Sequence, residues 1–417
     1  MDAFFSIGLR RRLVANPDRV RVTGPLAAFK DGFAAELVRQ GYRPNAVACQ
    51  LQLMAHLSRW MALRGVDAAG LTAPVMAEFL VARRDAGYVL WLSPKALAPL
   101  MTHLRRRGVS GPEPDLVVTD PVELLLSRYR DYLVRERGLS PHTAVTYAVL
   151  LRPFLEGRRA DDGGLDLGSL TAADVIGFVR VGCAGRPVGS AKLIVTALRS
   201  LLGFLHVEGI VGSSPAAAVP SVAGGARAGL PRGLEAGAMT RLLAACDRRT
   251  RMGRRDFAMV TLMVRLGLRP GEVRSLSLDD IDWCAGELVI RGKGNRIERM
   301  PLPADAGEAV AGYLRRGRPP GIDTRAVFVR VRAPHQPLSV TGVSGVVTRA
   351  AARTGLRHAT ARQLRHTAAT AMVAAGAALP QVGQVLRHRR LLSTSIYAKV
   401  DREGLRELAR PWPGGAA

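Results

Sequence analysis

The sequence predicts a multidomain protein in which all-α N-terminal modules precede a mixed α+β domain. Three observations lead there. Two stretches repeat one helical plan at offsets of 97 and 99 residues: Gly41-Tyr42-Arg43-Pro44 matches Gly138-Leu139-Ser140-Pro141, and Leu71-Thr72-Ala73 matches Leu170-Thr171-Ala172. A run of small and turn-forming residues, Pro220-Ser221-Val222-Ala223-Gly224-Gly225-Ala226, then interrupts the helical pattern. Beyond it, helical periodicity alternates with short runs of β-formers bounded by glycine. A chain of 417 residues with 48% hydrophobic content has room for several packed cores.

Taken in order, residues 1–23 read as a basic N-terminal arm with Phe4, Phe5 and Ile7 as docking candidates. Residues 24–110 form a first helical module, and residues 118–220 a second of the same plan. In each, Pro44 or Pro141 opens a helix, Thr72 or Thr171 caps the next, and Ser93 or Ser190 precedes a third. Residues 221–231 form a linker and residues 232–410 the α+β domain, with a tail at 411–417. Within that domain 242–246 and 257–266 read as helices, and 281–283, 287–291 and 297–302 as three strands. Gly286, Gly292 and Gly294 supply the tight turns, which places Lys293 at a hairpin tip. Residues 315–321 and 330–337 read as surface loops, and 401–410 as a C-terminal helix carrying Leu405 and Leu408.

Charge narrows the function. Lys+Arg is 60 against 34 Asp+Glu, a net charge of +26. Such an excess favours a polyanionic partner, most simply nucleic acid. Nearly all of it is arginine; the lysines are Lys30, Lys95, Lys192, Lys293 and Lys399. A lysine kept in such a chain points to a task arginine cannot do, such as giving up a proton. Cys49, Cys183, Cys246 and Cys284 are scattered without a paired spacing, which argues against a zinc site or a disulfide framework. No apolar run is expected to reach transmembrane length, and the charge order of the N-terminus does not suit a signal peptide. The expected location is the cytoplasm.

The densest chemistry lies in residues 362–399. Arg362 and Arg365 are spaced to share one helix face. A helix is expected over 367–375, stopped by Gly376, and a second from Pro380 to about His388, with Ser393 and Thr394 as caps for a third segment carrying Tyr397. Clustered guanidinium groups and a tyrosine hydroxyl suit nucleophilic attack on a phosphodiester. Arginines can hold the non-bridging oxygens in forked contacts, and tyrosine can form a covalent intermediate. Glu272, three residues after Arg269, is placed to orient that guanidinium. Tyr129, Arg130, Arg137 and Arg152 are further candidates to meet phosphates.

These motifs resemble the tyrosine recombinase (phage integrase) family. Gly267-Leu268-Arg269-Pro270-Gly271-Glu272-Val273 is similar to its first box, Lys293 to its hairpin lysine, Arg362-Gln363-Leu364-Arg365-His366 to its second, and Leu386-Arg387-His388 to its third, with Tyr397 nine residues beyond His388. The resemblance spans 118–410 and departs twice: Arg362 stands where the family usually has histidine, and Arg387 where it usually has glycine. It implies a site-specific DNA recombinase of integrase or transposase type with a mixed α+β catalytic domain. Its catalytic residues would be Arg269, Lys293, Arg362, Arg365, His388 and Tyr397. It implies a 3′-phosphotyrosyl intermediate, double-stranded DNA as partner, a tetrameric synapse, and neither cofactor, metal nor nucleotide. Residues 118–220 resemble the family's core-binding, SAM-like domain, and 24–110 an accessory module of that kind. His366 is read as a buttress, with His388 on the scissile phosphate. Two rivals stay open on these grounds: a type IB-like topoisomerase with the same chemistry, and a DNA-binding relative with a degraded site.

Overall fold

The structure, a computed structural model, describes residues 16–109, 120–212, 215–224, 233–235, 237–292, 296–356, 359–388 and 394–397. The chain divides into two compact units, one joining 1–111 with 230–417 and the other spanning 112–229.

In the first unit, helices α1 (Lys30–Arg39), α2 (Pro44–Leu63), α3 (Ala73–Asp85) and α4 (Pro94–Arg106) enclose a core that includes Phe33, Leu51, Met54, Leu57, Phe79 and Leu104. Pro44 and Pro94 sit at the first helical position, where the missing N–H costs nothing and φ is already set. Gly41 turns the chain between α1 and α2 at φ +83°, and the His335 ring lies so close that a Cβ there would fall 2.2 Å from it. The sequence separates this module from the C-terminal domain, yet the two share one compact unit. Arg39 donates to Asp323 at 2.6 Å, and the His335 N–H to the Gln40 carbonyl at 3.4 Å.

The second unit repeats the plan: α5 (Pro121–Arg135), α6 (Pro141–Glu156), α7 (Ala172–Cys183) and α8 (Val188–Val207). Asp120, Ser140 and Thr171 accept from backbone N–H groups in the first turns of α5, α6 and α7, and Asp174 closes a capping box on Thr171. Tyr129 belongs to this core rather than to a phosphate: it is fully buried and donates to the Ala197 carbonyl at 3.3 Å. Arg152 is paired with Glu123, and Arg137 donates to the Tyr132 hydroxyl at 3.5 Å. Helix α8 also corrects the expectation about membrane-length runs. It is long and apolar enough to cross a membrane, but half of its apolar window is buried, with Leu198, Leu201 and Leu205 at zero exposure. Those residues recur at helical spacing and face the unit's core.

The C-terminal part of the first unit is built on α10 (Arg251–Leu266), which is buried along nearly its whole length. It packs against α9 (Ala238–Ala244), α11 (Pro270–Ser275), α12 (Ala304–Arg316), α13 (Val340–Arg353) and α14 (Ala361–Ala374). The antiparallel sheet β1 (Ile281–Asp282), β2 (Glu287–Arg291), β3 (Ile297–Pro301) lies in the order β1-β2-β3, with Ile290 opposite Glu298. Leu288 and Ile290 alternate inward on β2. The hairpin expected over 287–302 is present, but its tip, and Lys293 with it, lies outside the described residues. Arg315 and Arg316 end α12 rather than opening a loop. Helix α13 contains Val-Val and Thr steps that favour strands, but Val343, Val346, Val347 and Ala350 fall on one buried face, and that burial decides the conformation. The expected helix at 401–410 and the tail also lie outside the described residues, as does most of the arm.

Candidate active site

Helix α14 starts earlier than its alanine-rich stretch indicates. Thr360 accepts from the Gln363 N–H and Gln363 reaches back to the Thr360 N–H at 3.0 Å, a capping box that starts the helix at Ala361. Arg362, Arg365 and His366 therefore lie on its first two turns, spaced to share a face. Short helix α15 (Leu379–Val385) follows, and Tyr397 sits in a turn over 394–397 whose N–H donates to the Thr394 carbonyl at 2.9 Å.

Arg365 is buried, and its guanidinium donates to two main-chain carbonyls, Gly267 at 2.5 Å and Leu386. These bonds tie α14 to the end of α10 and to the segment leading to His388. Burial, with Arg269 and Arg387 nearby, pushes its pKa down to about 10, still charged at neutral pH. Gly267 ends α10 in the left-handed region at φ +57°, and a Cβ there would lie 2.6 Å from Leu386 Cδ2.

Arg269 is half-exposed at the start of α11. Its backbone N–H donates to Glu272 Oε2 at 2.8 Å and its guanidinium to Oε1 at 2.5 Å, the orienting contact the spacing predicts. Glu272 has a second partner that the sequence reading missed. Arg387 reaches across from the other end of the site and donates to Oε2 at 2.9 Å, with both side chains about 4% exposed. Arg387 adopts φ +54°, a conformation that ordinarily favours glycine. Its Nε is buried without a partner among the described residues. Burial alone would raise the Glu272 pKa, but the charge of Arg387, the Arg269 backbone N–H and the other contacts overcome it and hold the carboxyl below its ordinary range.

The His388 ring stacks on Tyr397 with centroids 6.3 Å apart and planes at 7°, and its Nδ1 meets the Thr394 hydroxyl at 2.7 Å. Burial first, then Arg365, Arg269 and Arg387, push its pKa down to about 4, so it is neutral at pH 7. Tyr397 is 1% exposed. Burial raises its phenol pKa, and Arg365, Arg362 and Arg269 offset part of that rise. Its hydroxyl bonds His366 Nδ1 at 2.8 Å, while Arg362 Nε donates to His366 Nε2 at 3.2 Å. Thus five of the six residues picked from the sequence, all but Lys293, gather in one neighbourhood around the tyrosine hydroxyl. His366 enters it as a direct partner of Tyr397. The sequence offers it as a buttress and as one of the groups, with His388 and water, to take the Tyr397 proton. An open cavity of about 440 Å³ touches Arg387, His388 and Thr394, whereas another of about 900 Å³ lies away from the site beside α12.

Comparisons with known proteins identify the family of the chain. The family described as "Phage integrase family" matches residues 232–403, and "Phage integrase, N-terminal SAM-like domain" matches 126–209. The putative integrase/recombinase y4rA of Sinorhizobium fredii is 39% identical over 94% of this chain and 96% of its own length. Tyrosine recombinase XerC of Oceanobacillus iheyensis is 30% identical over 69% of this chain and 94% of its own length. Among solved structures, XerH site-specific recombinase bound to palindromic difH substrate covers 71% of this chain and 98% of its own at 20% identity, with TM-score 0.53. A lambda integrase(75-356) dimer bound to a COC' core site covers 70% and 97% at 20% identity, also with TM-score 0.53. These two likenesses concern the fold. Through the matched sequence, over nearly the whole chain in one relative, this protein belongs to the phage integrase family and is a tyrosine recombinase, an enzyme that breaks and rejoins DNA.

Proposed function

We propose that Tyr397 is the nucleophile of site-specific recombination and that Arg269, Arg362 and Arg365 clamp the scissile phosphate, with His388 hydrogen-bonding it and Lys293 as general acid. The observation that carries this reading is the convergence of three guanidinium groups on one tyrosine whose hydroxyl is already hydrogen-bonded. In the reaction Oη attacks phosphorus, the Oη–P bond forms and the P–O5′ bond breaks. The non-bridging oxygens gain charge as this happens, and fixed guanidinium groups stabilise that charge. The 5′ oxygen leaves with a proton from Lys293, a group able to lose one where arginine is not. The phosphotyrosyl bond conserves the energy of the broken linkage, so a 5′ hydroxyl from a second strand can reverse the step without a nucleotide cofactor. Arg362 contributes as a third clamp: among the described residues its Nε is engaged by His366 and nothing accepts from its two terminal nitrogens. The burial of Tyr397 implies that DNA binding opens the route to its hydroxyl.

Double-stranded DNA is the partner that the +26 charge and the family support, and the reading extends to a tetrameric synapse of two DNA sites in the cytoplasm. Among the solved relatives, XerH is bound to palindromic difH substrate and a lambda integrase dimer to a COC' core site. A nicked suicide substrate that loses its 5′ fragment tests the chemistry. Wild-type protein accumulates a covalent complex, and Tyr397→Phe binds the DNA equally but accumulates none. Covalent complex at the wild-type level in Tyr397→Phe would assign the nucleophile to another residue.

A further inference from the structure

The chain Arg362–His366–Tyr397 has a chemical direction. An arginine Nε–H only donates, so His366 Nε2 must accept. A neutral imidazole that accepts at Nε2 carries its proton at Nδ1. Nδ1 faces the Tyr397 hydroxyl at 2.8 Å, so it donates to that oxygen. Burial, Arg362 and Arg365 all lower the His366 pKa, which keeps the ring neutral. The described groups around it include two guanidiniums, the Tyr397 phenol and the neutral His388 ring.

We propose that His366 is a catalytic residue that donates a hydrogen bond to the nucleophilic oxygen of Tyr397, and that Arg362 is the positioning residue that sets the required tautomer. This rests on Tyr397 being the nucleophile. The role is that of a donor and not of a base. As Oη loses its proton to a water molecule and bonds to phosphorus, the Nδ1–H stays on His366 and stabilises the charge on Oη before the bond forms. The leaving 5′ oxygen takes up one proton, so one proton is lost and one gained. The arrangement also gives the guanidinium of Arg362 two simultaneous tasks, Nε toward His366 and the terminal nitrogens toward phosphate. Histidine at position 362 would supply a base; arginine there supplies a fixed donor relay instead.

The test compares His366→Ala with His366→Asn. An asparagine amide can donate from nearly the place of Nδ1 but cannot act as a base at neutral pH. On the suicide substrate His366→Ala should cleave about 10²-fold more slowly, the usual loss for one charge-stabilising donor. His366→Asn should retain rates within about tenfold of wild type, recovering most of what one such donor supplies. Both should bind DNA and melt like wild type, which separates the effect from misfolding. In parallel, long-range ¹H–¹⁵N spectra of the full chain should show the His366 proton on Nδ1. An asparagine variant as slow as the alanine variant, an alanine variant as fast as wild type or faster, or a proton found on Nε2 would each overturn the proposal. Failure of the underlying reading is recognised separately, by covalent complex in Tyr397→Phe.

Discussion

Arg387 is the residue with most at stake locally. A non-glycine residue in the left-handed region carries a strain of about 1 kcal/mol. Its side chain nevertheless satisfies the buried Glu272 carboxylate, which among the described residues otherwise keeps Arg269 as its charged partner. Removing one member of a buried ion pair costs about 3–5 kcal/mol, with the lower end expected here because Arg269 remains. Arg387→Ala should therefore lower the stability of the C-terminal domain by about 3 kcal/mol. Arg387→Gly should lose about 1 kcal/mol less, because the backbone strain disappears with the side chain. Denaturant titrations followed by tryptophan fluorescence would measure both. Equal losses would show that the backbone is unstrained, and no loss would show that the pair contributes nothing.

At the scale of elements, α10, α14 and the segment before His388 are joined by Arg365 and kept close by Gly267. An alanine at Gly267 must adopt φ +57° and accommodate Leu386 Cδ2 at 2.6 Å. Left-handed strain and overpacking together predict a loss of about 2–3 kcal/mol. A urea midpoint unchanged in Gly267→Ala would contradict that packing. This scale also shows what was legible in the sequence. The helical repeats and β2 could be read because prolines, capping residues and alternation are local signals. Helix α13 and the true start of α14 depend on burial and on the Thr360–Gln363 box, which alanine content obscures. The catalytic candidates were legible as short motifs. The Glu272–Arg387 pair was not, because it joins residues 115 positions apart and only the folded chain brings them together; His366 was legible as a partner for the Tyr397 proton but not as its direct hydrogen-bond partner across 31 positions.

For the whole molecule the dominant quantity is charge. DNA association should be governed by arginine–phosphate contacts and the release of counterions. With roughly six to ten such contacts, affinity should fall by about 10³–10⁵ between 50 and 200 mM salt. Gel-shift or anisotropy titrations across that range would show it, and a nearly flat response would rule out binding through the basic surface. The first helical module belongs to the same compact unit as the proposed catalytic residues, through Arg39 with Asp323 and Gln40 with His335. Its ion pair is solvent-exposed and contributes little, so backbone fit at Gly41 is the more specific part of that contact.

The arginine cluster has a consequence for the enzyme before it meets its substrate. Arg269 and Arg387 pair with one carboxylate, Glu272, while Arg362 and Arg365 have no carboxylate partner among the described residues, so the four guanidinium groups hold three positive charges in excess around a neutral His388. Mutual repulsion of that kind is relieved by any small oxyanion able to enter. Sulfate or phosphate in a buffer should then bind the native state alone, and thermal melts should show the melting temperature rising with the logarithm of its concentration; no rise would contradict the excess charge of the cluster. The same ion competes with the scissile phosphate. Conditions that make this protein easiest to purify and keep are therefore those in which it recombines most slowly.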